Sequence, residues 1–266
     1  MDENSQLEGN PNVGTPDGFD AFSLIKRAWE ICYRSPQKYL GMAAVVGLPN
    51  LLLAFLGLLR KSAEVLSPER ALAGFISLAL LVAAFILGIY MLGALPVLAA
   101  SEVDERPMGW TEAFGWVHDR RVFWGVFLVS LLSWLAIIGG LILLIIPGFI
   151  FGTWLMLSVP AKVLGDKGIT DALSTSKKLI QPRFLRGGLA LALLLILPYI
   201  LLQGGTQVVC SIIYGFLKIS PGRTIAQAVV AYFLHVFWSP VAGLSLSFLF
   251  IDLSGGIEGL RKDLFL

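Results

Sequence analysis

Thirty consecutive residues, Ala71 to Ala100, carry no charged side chain. That exceeds the ~20 apolar residues a helix needs to cross a ~30 Å hydrocarbon layer. In such a layer only helices and closed barrels satisfy their own backbone hydrogen bonds. Similar runs lie at about residues 39–59, 122–146, 149–164, 187–217 and 224–253. Only 14% of the 266 residues are charged, against about 25% in soluble domains. The sequence therefore predicts an all-α, polytopic integral membrane protein with six transmembrane helices.

Between these runs lie three segments with helical amphipathic spacing. In residues 20–34, Asp20 is a fitting N-cap. Phe22, Ile25, Trp29 and Cys32 fall on one face, opposite Lys26, Arg27 and Glu30. Residues 107–121 place Trp110, Ala113, Phe114 and Val117 together. In residues 169–181, Ile169, Ala172, Leu173, Ser176, Leu179 and Ile180 form one arc. There Asp171 lies in the first turn and Lys177-Lys178 in the last, matching the helix dipole at both ends. Pro147-Gly148 reads as a tight hairpin turn between the third and fourth spans. Residues 1–18, acidic and rich in Gly, Pro and Asn, are expected to be a disordered tail, leaving residues 19–266 as one six-span membrane domain.

Orientation follows from Lys and Arg placement. With six spans, one side receives only Arg60, Lys61, Arg70, Lys218 and Arg223, and the other side receives the rest of the 20 basic residues. The positive-inside rule then puts both termini and all three amphipathic helices on the cytoplasmic side. The sequence also suggests one unit used three times, over about residues 19–105, 106–168 and 169–253. DAFSLIKR, EAFGWVHDRR and DALSTSKK align on an acid followed by alanine, and Pro96, Pro160 and Pro240 recur in the even-numbered spans. A competing account is that short helices entering a membrane look alike because acids precede bases for dipole reasons.

The stretch from residue 145 to 184 carries Ile146-Pro147-Gly148, Trp154, Pro160, the break at Asp166 to Gly168, Asp171-Ala172-Leu173, Ser176 to Leu179, and Arg183-Phe184. It resembles the membrane domain attached to some bacterial glycerophosphoryl diester phosphodiesterases. It is also similar to stand-alone six-span bacterial proteins of unassigned role. The resemblance implies an all-helical module of the bacterial inner membrane, not a known activity. The phosphodiesterase chemistry belongs to a separate soluble barrel, for which the longest soluble segment here, residues 1–38, has no room.

No catalytic residue, metal site or cofactor is expected. Net charge is +2, and the bases flank apolar runs, so nucleic acid is not an expected partner. Cys32 and Cys210 form no CxxC or Cys/His cluster. His118 and His235 lack the partners of a triad or metal site, and no phosphate-cradling or hydrolase motif appears. Lys162 and Asp252, near the inner ends of spans four and six, are read as snorkelling to the interface rather than as a pair.

Two candidate sites remain. The first is a basic collar of Lys26, Arg27, Arg120, Arg121, Lys177, Lys178, Arg183 and Arg186. It suits topology and anionic head-group contact, worth ~1 kcal/mol per charge. The second is intramembrane: Gln203, Thr206 and Gln207 on span five, with His235 and Ser239 on span six. Gln207 and His235 lie at similar depth and are expected to be able to meet. Such a group serves either a solute path or plain interhelical hydrogen bonding. The expected function is a non-enzymatic envelope module that contacts membrane lipids, a membrane-protein partner or a second copy of itself at its basic face. The alternative is a transporter or channel for a small solute.

Overall fold

The computed structural model describes residues 20–62, 68–106, 108–119, 122–217 and 220–256. All regular structure among them is helical: α1 (Ala21–Arg34), α2 (Pro36–Ser62), α3 (Pro68–Val103), α4 (Trp110–Asp119), α5 (Val122–Leu143), α6 (Ile145–Leu155), α7 (Ser158–Val163), α8 (Ile169–Ile180), α9 (Leu189–Leu217) and α10 (Ser220–Leu253). Six stretches are long and apolar enough to cross a membrane: Pro36–Gly57, Ala71–Val103, Val122–Leu143, Ile145–Val163, Leu189–Val209 and Ala226–Leu253. The chain is an all-α, multi-pass membrane protein. Residues 1–18, Arg120 and Arg121 lie outside the described residues, as do the side chains of Arg186 and Thr206.

α2 packs against α3 and α10, α5 against α6 and α7, and α9 against α10. α1 rests on α10, α4 on α3, and α8 on α5, α6 and α7. The first short helix therefore closes against the last span. Burial is concentrated at the end where α1, α4 and α8 attach. Along α3, Ala94, Leu95, Val97, Leu98, Ala99 and Ala100 are buried, whereas Leu72, Phe75, Leu78 and Leu81 are exposed. α9 buries Leu191 and Leu195 but exposes Ile200, Leu201, Val208 and Val209. Acyl chains are as apolar as leucine, so nothing drives the far halves to hide these side chains.

α1 splits its apolar face between protein and surroundings. Asp20 does cap it, its carboxylate accepting from the Phe22 N–H at 3.0 Å. The buried residues, however, are Ala21, Leu24, Ala28 and Cys32, while Phe22 and Trp29 are 66% and 50% exposed. Small residues let the α1 backbone approach α10, and the bulky rings turn away from the protein. The acid-alanine alignment of the three short helices shifts for a related reason. Asp20, Gly109 and Gly168 each supply the first carbonyl, accepting from Leu24, Ala113 and Ala172 N–H respectively. Asp20 thus matches the two glycines, not Glu112 and Asp171. Counted from these caps, positions four and eight are buried in all three helices: Leu24 and Ala28, Ala113 and Val117, Ala172 and Ser176.

The fourth span is not one helix from Phe149. α5 ends at Leu143, Leu144 alone is extended (φ −166°, ψ 148°), and α6 begins at Ile145. Pro147 therefore belongs to the first turn of α6, where a missing N–H costs nothing, and the link is Leu144. A second interruption at Met156–Leu157 separates α6 from α7. A 3-10 turn (Gln181–Arg183) and a π turn (Phe184–Gly188) lead from α8 into α9.

Candidate functional site

The basic collar is held in place unevenly. Arg27 lies with its guanidinium carbon 4.4 Å from the Phe248 ring centre and a nitrogen 3.8 Å from Asp252 Oδ1. Lys177 Nζ sits 4.8 Å above the Trp154 ring. Both cations therefore also interact with the electron-rich face of an aromatic ring. Lys26 reaches Glu30 at 3.9 Å along the exposed side of α1, a contact of little energetic weight. Lys178 is exposed, and Arg183 Nη1 donates to the Leu179 carbonyl at 3.3 Å. Asp252 and Lys162 are not partners. Lys162 Nζ donates to the Lys167 carbonyl at 2.8 Å, and its stem crosses α5 at Gly125, where a Cβ would lie 2.4 Å from Lys162 Cε.

Sequence reasoning missed a part-buried charged cluster at this end. Glu102 Oε1 accepts from Lys38 Nζ at 2.5 Å and from the fully buried Tyr39 hydroxyl at 2.7 Å. It ties the start of α2 to the end of α3. The available signal was the first acid after a long apolar run, an expensive position without a partner. Beside it, a shallow groove of about 520 Å³ runs between the α1–α2 junction and the start of α4, lined by Arg34, Lys38, Gly109 and Trp110 among others. The Cys32 thiol is buried under α1, and burial pushes its pKa up to about 12. That is the environment of an inert thiol. His118 Nδ1 is 2.8 Å from the Tyr90 hydroxyl and joins α4 to α3.

Residues 145–187 form a structural joint. The break between α6 and α7 frees backbone groups that water cannot reach. Ser176, buried in α8, donates to the Trp154 carbonyl at 2.7 Å and accepts from the Leu157 N–H at 3.0 Å. A single hydroxyl thus satisfies both sides of the interruption. Phe184 packs against Trp154 with ring centres 6.5 Å apart. Gly188 lets the chain pass, since a Cβ there would lie 3.0 Å from Ile180 Cγ2 and 3.3 Å from Thr153 Cγ2.

The intramembrane polar residues are dispersed. Gln207 is on the exposed side of α9, where its carbonyl accepts from the Ser211 hydroxyl. Ser239 donates to the His235 carbonyl within α10 at 2.6 Å. His235 faces α2 instead: its Cδ2 lies 3.1 Å from where a Gly47 Cβ would be, and the neighbouring Tyr232 hydroxyl donates to the Ala44 carbonyl at 3.1 Å. No hydrogen bond joins Gln207 to His235 among the described residues. α9 and α10 are tied by Trp238, whose indole N–H donates to the Leu195 carbonyl at 2.8 Å. Gln203 Oε1, His235 Nε2 and Gln227 Nε2, the last not anticipated, are buried atoms without a hydrogen-bond partner. No cluster of three or more His, Cys, Asp or Glu suited to a metal ion occurs among the described residues.

Comparison with known proteins returned no matching family model, no matching curated protein and no matching solved structure.

Proposed function

We propose that this chain is a non-enzymatic membrane module that binds anionic lipid head groups at its basic face. The observation that carries the reading is the coincidence, at one end, of the packed core, the three short helices and the collar. Lys26, Arg27, Lys177, Lys178 and Arg183 lie at the end that holds the buried core. The Arg34/Lys38 groove with Trp110 at its rim adds a recess of the right charge beside them, and indole rings favour the head-group level. In this reading the basic end faces the cytoplasm, both termini lie there, and the membrane is the bacterial inner membrane, in keeping with the residue 146–184 resemblance. The three helix-hairpin units are copies of one another, supported by the shared cap-plus-four and cap-plus-eight burial. A membrane-protein partner or second copy can use the same end.

The test is thermal unfolding of the purified protein in a neutral detergent, titrated with phosphatidylglycerol or phosphatidylcholine. Stabilisation specific to the anionic lipid is expected, and neutralising Lys26, Lys177, Lys178 and Arg183 together should remove it. Equal response to both lipids would overturn the reading.

A second reading, a small-solute path, draws on the unpartnered Gln203, Gln227 and His235 atoms. It requires that His235→Ala with Gln227→Ala abolish a flux in proteoliposomes while leaving the lipid response intact.

A further inference from the structure

The groove beside Lys38 has one wall made by residues 34–38, where α1 ends and α2 begins, and another made by Gly109 and Trp110 at the start of α4. The two cations in the first wall differ. Lys38 is half-buried and held by Glu102, so its charge is already matched. Arg34 is exposed, lies in the last turn of α1 and makes no ion pair among the described residues. Across the groove, the Glu112 carboxylate accepts from the Gly109 N–H at 3.0 Å and so occupies the start of α4 itself. The groove thus presents one unmatched cation, with the carboxylates of Glu102 and Glu112 each tied to a wall residue.

The start of α2 adds a donor. Ser35 stands outside the helix at φ −132° and ψ 64°, and its carbonyl accepts from the Lys38 and Tyr39 N–H groups at 3.1 and 3.3 Å. Pro36 has no N–H to satisfy. That leaves the Gln37 N–H, which has no acceptor among the described residues, as expected of a first-turn amide. No acidic side chain lies in the first turn of this 27-residue helix, so its positive end is not cancelled locally. A free guanidinium and a free amide on one wall of a recess suit an oxyanion, since the arginine fork matches two oxygens of a single phosphate.

The level of the groove indicates what carries that anion. The first apolar stretch begins at Pro36 and the second ends at Val103. The walls therefore lie at the edge of the hydrocarbon, where lipid phosphates lie and where indole rings such as Trp110 are favoured. The volume of about 520 Å³ falls within the ~300–1,000 Å³ of small-ligand sites. Charge indicates which phosphate. One unmatched cation balances the single charge of a phosphodiester. A phosphomonoester, at about −1.5 to −2 near pH 7, would bring further negative charge towards Glu102 and Glu112 with no cation to meet it.

We propose that this groove binds the phosphodiester of one anionic lipid, with Arg34 and the Gln37 N–H as its ligands and Lys38 kept out of the contact by Glu102. The inference rests on the head-group reading above and gives it one location, separate from the shared contribution of Lys26, Lys177, Lys178 and Arg183.

Native mass spectrometry of the full chain in neutral detergent tests it, because lipids bound one at a time are counted. One phosphatidylglycerol should bind more tightly than further copies and more tightly than phosphatidic acid. Arg34→Gln should weaken that first binding at least about fivefold, the worth of one cation near an anionic surface. Gln37→Glu should weaken it as well, yet the added acid suits the start of α2, so melting in lipid-free detergent should be unchanged or higher. Retention of the tight lipid by either variant would overturn the groove site, and its loss on neutralising Lys26, Lys177, Lys178 and Arg183 instead would leave the head-group reading standing. Equal binding of phosphatidylglycerol and phosphatidylcholine by the unaltered protein would end both. Tighter Arg34-dependent binding of phosphatidic acid would overturn the phosphodiester assignment. Displacement of the lipid by an equal concentration of glycerophosphoglycerol, its water-soluble head group, would assign a soluble anion and overturn the lipid as the source.

Discussion

Ser176→Ala is the most informative single substitution in this protein. The hydroxyl is fully buried and makes two bonds, to the Trp154 carbonyl and from the Leu157 N–H, across the one place where span four loses its helical ladder. Alanine retains the helix propensity of α8 and leaves almost no cavity, so the change isolates the hydrogen bonds. Intramembrane side-chain bonds average ~0.6 kcal/mol in double-mutant cycles, which sets a floor near 1 kcal/mol for two. A buried N–H left without any partner costs about 1–3 kcal/mol. The expected loss is therefore about 1–3 kcal/mol. Equilibrium unfolding in mixed micelles, titrated with a denaturing detergent and followed by circular dichroism, measures it. Ser174→Ala is the control: its hydroxyl is exposed and bonds only to the Asp171 carbonyl within the same helix, so its effect should stay below about 0.5 kcal/mol, as for most surface changes. Equal effects of the two substitutions would refute the claim that Ser176 holds the joint together.

Gly140→Ala should destabilise the α5–α6 crossing by about 1–3 kcal/mol through overpacking, while Gly139→Ala, whose Cβ meets nothing within 4 Å, should be neutral; the same detergent titration compares them. Lys38→Met should lower stability by about 1–3 kcal/mol, less than for a fully buried pair because Glu102 is 30% exposed. Adding Glu102→Met should recover part of that loss. Cys32, with its pKa raised from 9.0 to about 12, should carry roughly a thousandfold less thiolate below pH 9 than a free thiol. Maleimide should thus leave it unmodified at pH 8 until the protein is denatured. Because the folded-state pKa is the higher one, its contribution to stability is whole below pH 9 and declines as pH rises from 9 towards 12.

Much of this was readable along the chain because it depends on local chemistry. α1 and α8 begin close to the positions set by Asp20 and Gly168, and Pro182 marks where α8 gives way to irregular turns. The same reasoning misplaced the far end of span four. Pro147-Gly148 has the composition of a turn, but a proline fits the first turn of a helix equally well, and the backbone bends at Leu144. Spacing put Phe22, Ile25, Trp29 and Cys32 on one apolar face of α1 but did not say which part of that face meets the protein. In lipid the small residues go inward and Phe22 and Trp29 go out. Gln207 and His235 do not share the depth expected of them: the Trp238–Leu195 bond aligns α9 and α10 so that His235 lies near the level of residue 198, roughly 13 Å along α9 from Gln207, and α10 turns His235 toward Gly47 of α2.

The sequence by itself determined that this chain lives in a membrane, how many apolar helices it has and where its charges collect. Those properties follow from residue-by-residue transfer between water and hydrocarbon, which is nearly additive along the chain. Only the tertiary structure decided the partners: Glu102 with Lys38 and Tyr39, Ser176 with the broken span, and α1 with α10. These contacts depend on which faces meet once every helix is already inserted. There, packing and hydrogen bonding choose among arrangements that bury the same apolar surface.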